Sequence, residues 1–228
     1  MEPKGLGLDV LLVSWLERLP ICVPALVKSK LTYLFDVYLQ PCINFIRSYC
    51  KELVPTVDNN LCESLMRILD CYIFPYYPEE GKPAPSEVMV ADLITCIDPL
   101  FIFSLVWSVG ATVNEASRRL FDAFLRAELQ SNKFSWPFPK AGAVYDYFFA
   151  FEQKQWMKWM DVSEAFTIDT KLGFSEIVVP TTDSVRNTYL LDILLTREKH
   201  TLMVGDTGTG KLCRHLCFKL YVMLVWFE

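Results

Sequence analysis

The chain has 228 residues, 52% of them hydrophobic and 14% aromatic, enough apolar material for one or two packed domains and too much for a disordered chain. A formal net charge of −5 and a pI near 5.2 argue against a nucleic acid or an anionic membrane as a general partner, because both reward clustered Lys and Arg. Eight cysteines without a C-x-x-C pair, beside only two histidines, His200 and His215, leave no ligand spacing for structural zinc and point to free thiols in a reducing compartment.

The N-terminal stretch MEPKGLGLDVLLVSW lacks the long apolar core and small-residue cleavage site of a secretory signal. The longest membrane candidate, LYVMLVWF at 220–227, falls far short of the ~20 residues a span needs. A soluble, cytosolic protein is expected. From Leu8 to Cys50 apolar residues recur at helical spacing, broken by Pro20, Pro24 and Pro41. Leu12, Trp15, Leu16 and Leu19 share one face, and Leu31, Leu34, Phe35, Tyr38 and Leu39 another. Asp58 or Asn59 is placed to cap the next helix, whose stripe Leu61, Leu65, Ile68 and Leu69 ends before Pro75. The segment PYYPEEGKPAPSE is then an exposed loop.

A long helix follows from about Ser86 to Val109, with Asp98-Pro99 breaking or kinking it and Gly110 as a natural stop. In NEASRRLFDAFLRAEL, Asn114 is the cap, Glu115/Arg119 and Arg118/Asp122 are i,i+4 pairs, and Leu120, Phe121, Phe124 and Leu125 form the buried side. The character changes in KFSWPFPKAGAVYDYFFAF, whose prolines, glycine turn and aromatics suggest short extended pieces. A module boundary belongs between 130 and 175. EIVVPTTDSVR then supplies a strand-like run and a Thr/Asp cap for the helix VRNTYLLDILLTREK, and the strand HTLMV leads into GDTGTGK.

That last element fits G-x-x-x-x-G-K at Gly205, Gly210 and Lys211, but the hydroxyl position is Leu212. Three fixed residues fall into place by chance in roughly one chain in fifteen of this length, so the pattern alone is weak. Its context is better. The loop follows Leu202, Met203 and Val204, and Thr207, Gly208 and Thr209 are small, as a loop must be if its backbone N–H groups are to converge on a phosphate.

The order VVPTTDSVR, apolar helix, strand, GDTGTGK resembles the start of the third AAA+ module of dynein heavy chains. Upstream, MEPKGLGLDVLLVSWLERLP, KELVPTVDNNLCESLMRILD, FIFSLVWSVGATVNEASRRLFDAFLR and FPKAGAVYDYFFAFEQKQWMKWMD resemble, in order, the later part of the second module, its helical lid and the junction to the third. The likeness is strongest to the axonemal branch. It implies a mostly α chain, a helical AAA+ lid region followed by a truncated α/β P-loop module. The implied division is 1–132 for the end and lid of the second module, 133–176 for the junction, and 177–228 for the start of the third.

The resemblance also implies a parent that is an ATP-driven, minus-end-directed microtubule motor of cilia and flagella, located in the cytoplasm and the axonemal cytoskeleton. Other dynein chains and microtubules would be its partners, with no nucleic acid and no membrane. Because such heavy chains run to thousands of residues, a fragment or truncated isoform is expected here. The tail LCRHLCFKLYVMLVWFE also departs from the family's pattern after the loop.

ATP is the implied ligand. Gly205, Asp206, Thr207, Gly208, Thr209, Gly210 and Lys211 would surround its phosphates, with Lys211 clamping the β and γ oxygens electrostatically. Ile177–Thr181 would contact adenine, Val179 and Pro180 forming an apolar wall, unless the segment is only a linker strand packed on the lid. Magnesium would be weakly held or absent, since Leu212 offers no oxygen to a hard cation. Hydrolysis needs an acidic strand end beyond the loop, and the 17 residues after Lys211 contain no Asp and only the terminal Glu228; Glu79-Glu80 precedes the loop and is no substitute. No catalytic residue and no metal ligand are assigned, and this chain alone is not expected to be an enzyme.

Several other features invite function and have plainer explanations. Arg118, Arg119 and Arg126 could include a lid arginine that reaches a neighbouring phosphate, but acidic i,i+4 partners favour a solvated helix face. Trp156 and Trp159, three apart, would share a helical face, as a binding platform or, better, as packing between modules. Tyr145, Asp146 and Tyr147 lack a partner nucleophile, histidine or metal. His200 at a helix C-terminus is explained by the helix dipole. Two rivals stand beside the motor-fragment reading: a non-catalytic interaction module that docks on dynein components, and a separate P-loop NTPase, which would require a downstream acidic strand.

Overall fold

A computed structural model describes residues 7–78, 83–162, 181–199 and 201. The chain divides into two compact units, Met1–Met157 and Lys158–Glu228. In the first, α1 (Leu8–Arg18), α2 (Ala25–Leu34), α3 (Gln40–Tyr49), α4 (Asp58–Ile73), α5 (Glu87–Ser108) and α6 (Glu115–Ser131) precede a hairpin of β1 (Tyr147–Ala150) and β2 (Gln155–Lys158). The mostly α expectation holds, and this hairpin is the one sheet among the described residues.

The core is organised by α5. Ser86 caps it by accepting the Met89 N–H, and Leu93, Cys96, Ile97 and every residue from Pro99 to Val106 are buried around its circumference. A helix apolar on all sides must be enclosed, and α4 and α2 are its principal neighbours. By length and composition α5 would also cross a bilayer, so it, and not 220–227, is the longest membrane-like stretch among the described residues. Its enclosure identifies it as a core helix. The predicted stripes of α1, α2 and α4 face the same core: Leu12, Trp15, Leu19, Leu31, Leu34, Phe35, Leu61, Leu65 and Leu69 are all buried. Each such side chain contributes roughly 1.5–3 kcal/mol. Trp15 adds direction, its indole N–H donating to Asp70 Oδ1 at 2.8 Å and tying α1 to α4.

Four local expectations need correction. Pro41 does not break the helix. The chain stays helical from Ala25 to Tyr49 through a π turn at Phe35–Leu39, and the wider turn accommodates both the missing Pro41 N–H and the ring that would crowd the carbonyl four residues back. Pro99 likewise lies inside an uninterrupted α5; in the turn before it, the Lys30 ammonium donates to the Ile94 carbonyl at 3.0 Å and pairs with Asp98 at 3.2 Å. Asp58 is not a cap: Val57 occupies that position, and the Asp58 carboxylate takes the Arg47 guanidinium at 2.7 Å. Leu120 is half exposed, because the inward line of α6 runs Ser117, Phe121, Leu125, Leu129 at steps of four.

Gly110 does follow the helix end, for a different reason from the one expected. Positive φ among the described glycines belongs to Gly142, at 74°. At Gly110 a Cβ would lie 2.5 Å from the Phe121 ring and 2.9 Å from the Tyr145 hydroxyl, so the absence of a side chain is what lets α5, α6 and the segment before β1 converge.

The second unit contains α7 (Trp159–Val162) and α8 (Thr182–Thr196). The predicted Thr cap is present: Thr181 Oγ1 accepts the Ser184 N–H at 3.2 Å while Ser184 Oγ accepts the Thr181 N–H at 2.7 Å, a reciprocal capping arrangement. Asp183 pairs with Arg186 at 2.6 Å. The helix ends with Glu198 in the left-handed region (φ 55°) and the Lys199 N–H donating to the Leu194 carbonyl at 2.8 Å, a Schellman stop without glycine.

Candidate functional site

The phosphate-loop residues Gly205, Asp206, Thr207, Gly208, Thr209, Gly210 and Lys211, with Leu212, and the adenine-wall residues Val179 and Pro180, lie outside the described residues, as do Glu79-Glu80, His200 and His215. The structure describes the helix between the two parts: α8 starts two residues after Pro180 and its Schellman stop is six residues before Gly205. Among the described residues no cluster of three or more His, Cys, Asp or Glu side chains could hold a metal.

The three arginines of α6 separate into different environments. Arg126 is committed to structure. Its Nε donates to Asp122 Oδ1 at 3.0 Å, its other nitrogens donate to the Pro139 carbonyl at 2.9 Å and the Gly142 carbonyl at 3.0 Å, and its guanidinium lies 5.7 Å from the Phe138 ring centroid. The expected Arg118/Asp122 pair is replaced by this one, because Asp122 also accepts the Val144 N–H at 2.7 Å. Arg118 instead lies over the Tyr145 ring, 5.3 Å from its centroid, with its Nε buried and without a hydrogen-bond partner. Arg119 is exposed.

The Tyr145, Asp146, Tyr147 triplet is structural as well. The Tyr145 hydroxyl donates to the Gly110 carbonyl at 2.8 Å, and burial raises its pKa far above the usual tyrosine range, with Arg118 opposing the shift. Asp146 accepts the Ala143 N–H at 2.8 Å, and the Tyr147 hydroxyl donates to the Ala141 carbonyl. These bonds tie the triplet into the fold.

Trp156 and Trp159 do not share a helical face. Trp156 is on β2, stacked on Phe138 at 4.0 Å and donating its indole N–H to the Trp136 carbonyl at 3.0 Å; Trp159 opens α7 and meets Tyr189 of α8 edge-on at 5.4 Å. β2 ends at Lys158, between the two rings, so the spacing of three gives them no common helical face. Each ring packs within its own unit, Trp156 in the first and Trp159 in the second.

No described cysteine is in a disulfide, and Cys42, Cys62, Cys71 and Cys96 are buried. Burial pushes the Cys62 thiol up to about 12 and Cys42 further still, which keeps them protonated and poorly nucleophilic at neutral pH.

Two family models match in succession. Residues 31–161 match the dynein heavy chain AAA lid domain. The chain belongs to the dynein heavy chains. The model of the P-loop containing dynein motor region follows at residues 166–215 and includes the whole Gly205–Lys211 pattern. Similar relatives are dynein axonemal heavy chain 1 of Mus musculus, 40% identical, and of Homo sapiens, 37% identical, and dynein axonemal heavy chain 12 of Mus musculus, 32% identical, each over 92% of this chain. The dynein chain in hand spans only 5–7% of the length of those relatives. Within the lid match, the sequence does not mark the α5–α6 junction at Gly110 or the Asp122–Arg126 group as structural centres; their signals, a glycine before a cap and an i,i+4 Asp/Arg spacing, are both common.

Proposed function

We propose that this chain is part of the AAA+ ring of an axonemal dynein heavy chain, with residues 1–132 the end and helical lid of the second module, 133–176 the junction, and 177–228 the start of the third module, including a loop that takes ATP. The observation that carries this reading is the succession, in one chain, of a lid match and a P-loop motor match. The whole protein would then be an ATP-driven microtubule motor of the axoneme, working with other dynein chains.

The donor set of the loop suits ATP. Backbone amides from Thr207 to Lys211 present successive N–H groups to the β-phosphate, and the Lys211 ammonium offsets charge on the β and γ oxygens. The same set does not suit magnesium, since Leu212 stands where a hydroxyl would ligate the ion. Binding is therefore the proposed role of this stretch, and no hydrolytic step is assigned to it.

Titration calorimetry of ATP with and without Mg²⁺, on this chain and on Leu212→Thr, tests the proposal. The expected outcome is ATP binding that Mg²⁺ tightens only in the threonine variant. No heat from either protein, both folded by circular dichroism, would remove the nucleotide function. It would leave a second reading, an interaction module that docks on dynein components, which is favoured by the exposure of Ile21, Tyr49, Leu53 and Val54 on the first unit.

A further inference from the structure

The segment between α6 and β1 is fastened in an unusual way. α6 ends in a Schellman stop: Lys133 sits at φ 51°, its N–H donates to the Gln130 carbonyl, and the Phe134 N–H donates to the Leu129 carbonyl at 2.9 Å. Phe134 packs edge-on against Tyr38 at 6.1 Å. From Ser135 to Asp146 the described backbone-to-backbone bond is internal, Asp146 N–H to the Ala143 carbonyl. Side chains supply the attachments to the rest of the unit. Arg126 holds the Pro139 and Gly142 carbonyls, Asp122 holds the Val144 N–H, Tyr147 holds the Ala141 carbonyl and Trp156 the Trp136 carbonyl. At the outermost point Lys140, Ala141 and Gly142 are exposed.

We propose that residues 135–143 form a strap that opens as a local unit up to an anchor at Val144 and Tyr145, whose buried side chains and Tyr145–Gly110 hydrogen bond stay in place, and that the Asp122–Arg126 pair is its latch. One guanidinium is bonded to two strap carbonyls three residues apart, so releasing Arg126 frees both attachment points together, while its partner Asp122 keeps the Val144 amide at the anchor. The Arg126 bond to the Gly142 carbonyl is exposed and the one to the Pro139 carbonyl only partly buried, so water can take over both carbonyls when the latch releases. The ring of Phe138 under the guanidinium and over Trp156 adds a hydrophobic seat that the same release loosens. β2 runs into α7 without an intervening residue. The strap thus lies upstream of the hairpin on the chain's way to residues 158–228. This inference is independent of nucleotide binding.

Limited trypsin digestion of the full chain reads the latch directly, because Lys140 lies between the two carbonyls that Arg126 holds. In Arg126→Gln, cleavage after Lys140 is expected to be about tenfold faster or more, the size set by losing charge-assisted bonds to a locally opening segment. Cleavage after Arg67, inside α4, and the helical circular dichroism should stay as in the wild type. Asp122→Asn, which keeps an acceptor for the Val144 N–H but loses the charge, should accelerate the same bond less, and it decides the matter if Arg126→Gln does not fold. Wild-type rates after Lys140 in the folded variants would overturn the proposal. So would equal acceleration at Arg67 and Lys140, which means global destabilisation, or wild-type cleavage after Lys140 as fast as in the unfolded chain.

Discussion

Gly110 illustrates how one missing side chain can set a junction. Its carbonyl accepts the Tyr145 hydroxyl at 2.8 Å, and the space a Cβ would take is already filled by the Phe121 ring and that same hydroxyl. Gly110→Ala therefore forces a buried ring and a buried hydrogen bond to shift together, and overpacking of this kind costs about 1–3 kcal/mol. Urea denaturation should show the loss with an unchanged slope; a variant as stable as the wild type would mean that the junction relaxes freely. The glycine itself was legible in the sequence as a helix stop. Its physical role was not, because the atoms that exclude a Cβ come from residues 11 and 35 positions away, and no local pattern specifies their approach.

At the scale of elements, caps and stops followed local chemistry where the cap was Ser, Thr or Asn. Ser86, Asn114 and Thr181 all accept a backbone N–H from the first turn of their helices. Stops without glycine were hidden. Lys133 and Glu198 both take left-handed backbone to end α6 and α8, at a cost that an L side chain pays and glycine avoids. Lys133→Gly is accordingly expected to raise stability by up to about 1 kcal/mol, the conformational gain being partly offset by a freer unfolded chain. A clear decrease in the denaturation midpoint would show that the Lys133 side chain contributes contacts that outweigh the strain. Proline misleads for the opposite reason: Pro41 and Pro99 are costly in an isolated helix, but a π turn in one case and enclosure by neighbouring helices in the other go with a continuous helix.

At the scale of the whole molecule, buried titratable groups predict how stability varies with pH. Burial raises Tyr38 and Tyr76 from 10.0 to about 12 and Cys62 from 9.0 to about 12. A group with a raised folded pKa keeps its proton in the native state after the unfolded chain has lost it, so its contribution is complete below the unfolded value and is lost as pH climbs toward the folded one. These groups should leave stability level through neutrality and lower it progressively between about pH 9 and 12. Thermal unfolding followed across that range is the check; a midpoint that stays constant to pH 11 would mean that these groups are not shielded. The same burial predicts slow labelling of Cys42 and Cys62 in the native protein.

The sequence by itself determined the helical class, the order of the helices, the inward stripes of α1, α2 and α4, and the family, because helical periodicity, cap chemistry and blocks of residues in a fixed order are all written locally along the chain. Tertiary structure decided which of those features do which work. Arg126 and not Arg118 takes Asp122, because a loop amide from Val144 brings that carboxylate to the strap's anchor. Trp156 and Trp159 part company because a strand ends between them. A residue's neighbours in sequence set its backbone preference, but its partners across the core set which bonds it makes, and those depend on contacts that exist only after the helices have packed.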